Sequence, residues 1–409
     1  MSKAKKVLYI SYDGMTDPLG QSQVIPYLIG LSKEGYHITI LSFEKRRKYI
    51  ELGKYIQQLL NGAGIEWVTQ FFNVRPPFLS KLYDQRKMKR IAGRLNKDQK
   101  FDLIHCRSYV AAASGLKLFL RYKIPFLFDM RGFWVDERID SGHWNINNPL
   151  YRFLYKRYKK KEKKYFSKSA YIISLTQKGK DELINTYEVP SDKISVIPCC
   201  VDLEHFDYKK INEEQKREAR KQLRITSEKK VLSYLGSLGG WYMTDEMLDF
   251  FLMMKAKIPE AVFLFITHDD RELIVAKASA KGISAEDIYV QPAGRKDVPL
   301  YLSLSDWSIF FIKDLYSKKA SSPTKQGEIM AMGIPVICND IGDTGKIIRE
   351  SGYGIVINDF NEAAYERIAG SLNSLLQIDK SNIRKSAFEY YDLKKGIEKY
   401  KKVYQQLIS

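Results

Sequence analysis

A chain of 409 residues, 44% hydrophobic and 13% aromatic, exceeds the roughly 250–300 residues that one core sustains, so two domains with ordinary cores are expected. No apolar run reaches the ~18–20 residues of a membrane span. The opening MSKAKKVLYI passes from lysines straight into a strand-like run, which predicts no secretory signal. Cys106, Cys199, Cys200 and Cys338 show no C-x-x-C spacing and the five histidines are scattered. That pattern disfavours a disulfide framework or a metal centre and predicts reduced thiols in a cytosolic protein. The net charge of +19 is lopsided. Residues 1–200 hold 36 Lys/Arg against 18 Asp/Glu, or +18, and residues 201–409 hold 31 against 30, or +1. The first half is therefore expected to face something negative, a bilayer or a nucleic acid.

In chain order, β-rich runs fall at 6–14, 37–45, 65–73, 102–108, 125–132, 171–177 and 193–200, separated by amphipathic stretches such as QVIPYLIGLSKEG. Near-continuous apolar strands alternating with helices predict a parallel sheet covered on both faces. After the polar, helical INEEQKREARKQLRIT (211–226) the pattern restarts, with runs at 230–237, 261–269, 287–294, 307–313, 334–340 and 354–359. The expected class is α/β, two Rossmann-like doubly wound domains over 1–205 and 206–390, with a last helix at about 391–409 able to pack on either. Such sheets bind ligands at the carboxyl ends of their strands, which predicts a site in a cleft between the two. Neither a G-x-G-x-x-G after the first strand nor a Walker A sequence is present, which disfavours nicotinamide, flavin and P-loop chemistry.

Three segments carry a resemblance. KVLYISYDG leads into the glycine-bearing DPLGQSQ, VIPCCVDLEHF lies near the expected linker, and SPTKQGEIMAMGIPVICND reads as strand–loop–helix–turn–strand. In this order they resemble glycosyltransferase family 4, retaining and metal-independent enzymes of the GT-B fold, over nearly the whole chain. The last segment is the most specific. The resemblance implies an N-terminal acceptor-binding domain and a C-terminal domain binding a nucleotide diphosphate sugar, UDP- or GDP-linked. A hexosyl or related group would pass to a glycan, lipid-linked in one version, in surface polysaccharide synthesis, with no cofactor and no metal. Two departures stand out. Eight positions before Glu328 lies Ala320, so only the second acid of the family's E-x(7)-E pair is present. After the first strand of the second half the chain reads GSLGGWYM, without the family's Arg/Lys pair.

The chemistry of these segments points the same way. Ser321, Ser322 and Thr324 let backbone amides approach phosphate, and the helix that follows adds its positive end. Lys325 in its first turn opposes the helix dipole unless an anion is near. Lys313, Lys318 and Lys319 add charge, and by resemblance Glu328 accepts ribose hydroxyls. Gly236 and Ser237, with Gly239 and Gly240, permit close backbone approach to a pyrophosphate; an ordinary strand-to-helix turn is the alternative. Gly20, Gln21 and Ser22 form a second candidate phosphate or acceptor loop, against a plain turn. In DMRGFWVDERID, Arg131 and Asp129 are candidate catalytic groups, for the leaving phosphate and the acceptor proton, against a structural ion cluster.

Residues 151–169 carry Lys/Arg from Arg152 to Lys164, plus Lys168, interleaved with aromatic residues, and 71–97 adds a second basic, aromatic stretch. Both fit an anionic membrane surface, and peripheral association with the inner face of the cell membrane is expected. The rival readings are a nucleotide-sugar epimerase or phosphorylase of the same fold, a non-catalytic homologue, and a nucleic-acid-binding protein, for which no recognition motif is found.

Overall fold

The computed structural model describes residues 4–76 and 79–408. Residues 1–3, where no signal is expected, Pro77 and Phe78 of the basic 71–97 stretch, and Ser409 of the expected last helix lie outside them. The chain divides into two compact units, Met1–Pro198 with Tyr316–Ser321 and Leu393–Ser409, and Cys199–Leu315 with Ser322–Asp392. The division falls before residue 205 because Val201 bridges to Asp392 and its N–H donates to Tyr391 O at 2.7 Å, which ties the linker to the second unit.

The first unit is built on strands β1 (Lys6–Ser11), β2 (His37–Glu44), β3 (Glu66–Phe71), β4 (Leu103–Arg107), β5 (Phe126–Asp129), β6 (Tyr171–Ser174) and β7 (Ile194–Val196). They pair in parallel in the order β3-β2-β1-β4-β5-β6-β7. Strands buried on both faces are mostly apolar, as in LIHCR and FLFD, where every residue is buried and His105, Arg107 and Asp129 are the polar exceptions that need partners. The helix Ser108–Tyr122 covers β4 and β5, and the helices Leu79–Gln99 and Pro149–Lys168 pack on it. The final helix, Leu393–Ile408, packs on Ile25–Lys33. Gly30 permits that approach, since a Cβ there would lie 2.9 Å from Ile397 Cγ1.

The second unit holds β8 (Lys230–Leu235), β9 (Ala261–Ile266), β10 (Ile288–Gln291), β11 (Trp307–Phe310), β12 (Val336–Asn339) and β13 (Gly354–Ile357). Their order is β10-β9-β8-β11-β12-β13, again all parallel. From β8 the chain winds one way to β9 and β10, then crosses to β11 and winds the other way. Loops leaving β8 and β11 therefore diverge at the carboxyl edge and open a crevice, the switch point where such sheets bind ligands.

A buried carboxylate anchors the first unit's leading loop. Glu44, at the end of β2 and wholly buried, accepts from Met15 N (2.8 Å), Thr16 N (3.1 Å), Thr16 Oγ1 (2.6 Å) and Ser42 Oγ (2.6 Å). Glu44→Gln turns an acceptor into a donor facing these N–H and O–H groups. It is expected to cost about 2–3 kcal/mol of stability, read by chemical denaturation, because buried donors lose their partner.

Candidate functional site

The carboxyl edge of the second sheet gathers one short loop from each central strand. After β8, the segment 236–240 takes left-handed backbone at Gly236 (φ 103), Gly239 (φ 77) and Gly240 (φ 59), a course only glycine follows without strain. Tyr234, the penultimate residue of β8, donates its hydroxyl to Ser237 O at 2.6 Å, and Asp269 beyond β9 accepts from Leu238 N. The loop is thus held open from both sides. Arg295 follows β10, and Lys313 follows β11 with its side chain exposed.

Between β11 and β12 lies the helix Thr324–Ala331. Pro323 sets its start and provides no side-chain cap, so first-turn amides are left for other partners. Gly333 (φ 67) ends it. Within it, Gly327 lies against Val201 and Tyr391, where a Cβ would come within 2.8 Å of both side chains. Asn339 at the end of β12 clasps Ile312, accepting from its N–H (2.9 Å) and donating to its carbonyl (2.7 Å), which fixes the exit of β11.

Lys325 is the focus of this edge. It is 7% exposed, and among the described residues its ammonium has no hydrogen-bond partner. Nζ sits 3.6 Å from the ring centre of Tyr242 and 4.0 Å from that of Tyr234. A Cβ on Gly236 would lie 3.3 Å from Nζ. Burial pushes the amine well below its usual 10.5, an effect Glu328 and Asp269 only partly oppose. Glu328, one turn on, is raised by burial, and Arg295 stands 3.8 Å from its Oε1. Gly236, Lys325 and Glu328 are brought together, while Ser237 serves through its carbonyl. Thr324 opens the helix, and Ser322 Oγ accepts from Cys199 N at 3.2 Å.

Other expected groups lie in the first unit. Ser321 donates its N–H to Lys318 O. Lys318 and Lys319, expected to supply free charge, are committed instead: Lys318 lies 3.4 Å from Glu137 and Lys319 3.0 Å from Glu182. Residues 18–23, expected as a loop, form a short helix, Pro18–Gln23. A Cβ on Gly20 would overlap Gly14 O, so packing alone requires this glycine. Gln21 donates to Thr16 O (3.0 Å) and Ser22 to Pro18 O (2.8 Å).

Asp129, 2% exposed, ends β5 beside two guanidinium groups and an imidazole: Arg131 at 3.5 Å, Arg107 at 4.0 Å and His105, which burial pushes away from its charged form, at 3.7 Å. Tyr400 of the last helix donates to it at 3.2 Å, and Tyr404 OH lies 2.7 Å from His105 Nδ1. Burial alone would raise this carboxyl, but Arg131, His105 and Arg107 hold it at about 2. Arg131 takes φ 63, a left-handed conformation costly for a non-glycine residue.

Arg295, Tyr234, Tyr242 and Asp269 were not singled out from the sequence. Arg295 directly follows the run DIYVQPAG, so its place at a strand's carboxyl end was a usable signal. The two tyrosines read as ordinary strand and loop aromatics. The four cysteines are buried, and no group of three or more His, Cys, Asp or Glu among the described residues converges as a metal-ligand set.

Two family models match in succession, Glycosyltransferase Family 4 over residues 24–205 and Glycosyl transferases group 1 over residues 215–389. A D-inositol 3-phosphate glycosyltransferase from Jonesia denitrificans is 20% identical over 267 residues, which are 63% of this chain and 60% of that protein's length. A glycosyltransferase from Rickettsia africae superposes with a TM-score of 0.72 at 17% identity, covering 99% of each chain. The Anabaena protein Alr3699/HepE, solved with UDP and glucose, gives 0.69 at 13% identity, covering 98% of this chain and 100% of that one. With both halves matched in order by the family models and the fold shared end to end, the chain belongs to the family-4 type of GT-B glycosyltransferases.

Proposed function

We propose that the second unit binds the diphosphate of a UDP- or GDP-linked sugar and that the first receives a glycan or lipid-linked glycan acceptor in surface polysaccharide synthesis. The observation that carries the donor half is Lys325: a buried amine without a hydrogen bond among the described residues, beside a glycine loop and an uncapped helix start, is costly unless an anion arrives. The similar Anabaena protein was solved with UDP and glucose, which supports a nucleotide at this edge. The leaving diphosphate would be stabilised by Lys325, Arg295, Lys313 and the amides of Gly239, Gly240, Thr324 and Lys325 in place of a divalent ion. Glu328, steadied by Arg295, would accept the ribose hydroxyls. The acceptor oxygen would replace the diphosphate at the anomeric carbon with retention, as the family resemblance implies.

In the first unit Asp129 is best read as the counter-ion that orients Arg131 toward the reacting groups, since a carboxyl held at about 2 is a poor proton acceptor at neutral pH. The donor half is tested by thermal shift with UDP, GDP, ADP, CMP and TDP in EDTA, comparing wild type with Glu328→Ala. One nucleotide should stabilise wild type clearly and the variant less. No stabilisation by any of them would remove the donor assignment.

An anionic bilayer is the proposed partner of the first unit. The inner face of Pro149–Lys168 is committed: Lys159 pairs with Asp136 (2.9 Å) and Glu162, while Tyr165 and Phe166 are buried. Its outer face leaves Leu150 61% and Phe153 60% exposed among lysines and arginines. Helix Ser108–Tyr122, absent from the sequence expectation, joins the two basic stretches. Lys89, Lys117, Leu120 and Arg121 line one shallow hollow, and Lys89 is pushed down by its own burial and by Lys161, Lys117 and Arg86. Like charges kept this close favour an anionic surface. No helix among the described residues is long and apolar enough to cross a membrane. Neutralising two of these cations, Lys117→Gln with Arg121→Gln, should weaken binding to phosphatidylglycerol vesicles about thirtyfold, at ~1 kcal/mol per charge. Unchanged partition would remove this face from the interface.

A further inference from the structure

Lys325 is held in an unusual way. Its ammonium lies between two tyrosine rings, 3.6 Å from the centre of Tyr242 and 4.0 Å from that of Tyr234, with no hydrogen-bond partner among the described residues. Each ring is fixed by backbone contacts of its own. Tyr234 is a strand residue whose hydroxyl is tied to Ser237 O. Tyr242 bridges Ile312 at the exit of β11, flanked by Met243 N donating to Phe311 O (3.0 Å) and Lys313 N donating to Trp241 O (2.8 Å). The two rings thus come from the first strand–loop of this unit and from its join to β11, on either side of the switch point. They occupy the stretch, YLGSLGGWY, where the family's phosphate-binding bases are missing.

We propose that Tyr234 and Tyr242 are positioning residues, an aromatic seat that holds Lys325 poised at Gly236 so that binding of a nucleoside diphosphate is coupled to uptake of one proton by the lysine amine. The inference rests on the donor reading above and deepens it. Ring quadrupoles stabilise a cation without neutralising it, so the seat keeps the amine in place yet leaves its N–H groups for an incoming oxyanion. The groups facing the amine are few. Glu328 on its own helix and Asp269 beyond β9 favour its charged form, and Arg295 offsets Glu328. The Cys199 thiol stands near Tyr242, whose hydroxyl burial pushes up to about 12. Burial outweighs the two acids and holds the free amine well below its usual range. A diphosphate adds negative charge at contact distance and raises it again. Between the free and bound values, binding must therefore take up a proton.

The test is calorimetric titration of the full chain with UDP and with GDP at pH 8.5, in two buffers of different ionisation enthalpy. The nucleotide's terminal phosphate, second pKa about 6, is already fully ionised there. Wild type should take up a clear fraction of a proton. Lys325→Arg, whose guanidinium never titrates, should take up none. Tyr242→Leu should lose about tenfold in affinity at pH 8.5 and clearly less at pH 6.5, where more of the amine carries its proton before the ligand arrives. Tyr242→Phe keeps the ring and should behave as wild type. A merely structural tyrosine would instead give Tyr242→Leu the same loss at both pH values. Nucleotide binding without proton uptake, or that pH-independent loss, overturns the seat alone. No binding by wild type to either nucleotide overturns the donor reading, and the seat with it.

Discussion

Lys325→Met is expected to weaken binding of UDP or GDP, whichever stabilises wild type, about a hundredfold or more, while leaving the melting temperature unchanged or higher. The two effects share one cause. In the free protein Lys325 is 7% exposed and its amine has no hydrogen-bond partner among the described residues, so an isosteric apolar chain relieves the cost of a desolvated polar group. In the complex the same ammonium would meet the diphosphate, where a charge-assisted contact in a water-poor site is worth about 3 kcal/mol. A residue whose loss stabilises the fold and removes the ligand is the signature of a site held ready at the expense of stability. If Lys325→Met lowers the melting temperature and binds nucleotide as wild type does, the lysine is a packing residue and the site lies elsewhere.

The second large effect concerns the first unit. Asp129→Asn should cost about 3 kcal/mol, on the order of 6–12 °C in that unit's transition, because it leaves His105, Arg107 and Arg131 facing one another without their shared anion. The acid limb should shift with it. The folded carboxyl sits at about 2, below its ordinary 3.8. Its contribution is therefore complete above pH ~4 and is lost as pH falls towards 2, amounting to about 2 kcal/mol. Denaturant titrations at pH 7 and pH 3 should show wild type losing about half of this increment, roughly 1 kcal/mol, and Asp129→Asn not losing it. A variant that keeps wild-type stability but loses transfer would instead assign Asp129 to the reacting groups.

Much of this was legible in the chain. Each of the thirteen β-rich runs contains a strand, because the central strands of a covered parallel sheet are mostly apolar and carry the signal residue by residue. The helix Glu213–Leu223 was equally plain, starting at a capping box of Asn212 and Gln215. Gly236 and Lys325 stand out in the sequence because phosphate chemistry calls for glycine, a cation and a helix start at a strand's end, and Glu328 because of the family resemblance. What was missed depends on residues far apart. Tyr400 reaches Asp129 across 271 positions, and nothing local marks either as a partner. Glu44, at the end of β2, looks solvent-facing until the loop after β1 folds over it. The helix Pro18–Gln23 hid behind Pro and Gly, which are usually read as turn formers, though Pro is well suited to a helix's first position. Residues 318–321 read as part of the donor loop but group with the first unit, held there by Glu137 and Glu182. Charge counts alone could not say which lysines were already paired.

The most direct measurement is a crystal structure of the protein with the nucleoside diphosphate that stabilises it. The diphosphate should lie over Gly236, with Lys325 Nζ about 2.7–2.9 Å from one of its oxygens and the ribose hydroxyls on Glu328. A nucleotide bound away from β8 and the helix Thr324–Ala331, with Lys325 still enclosed by Tyr234 and Tyr242 and touching no phosphate, would contradict the account.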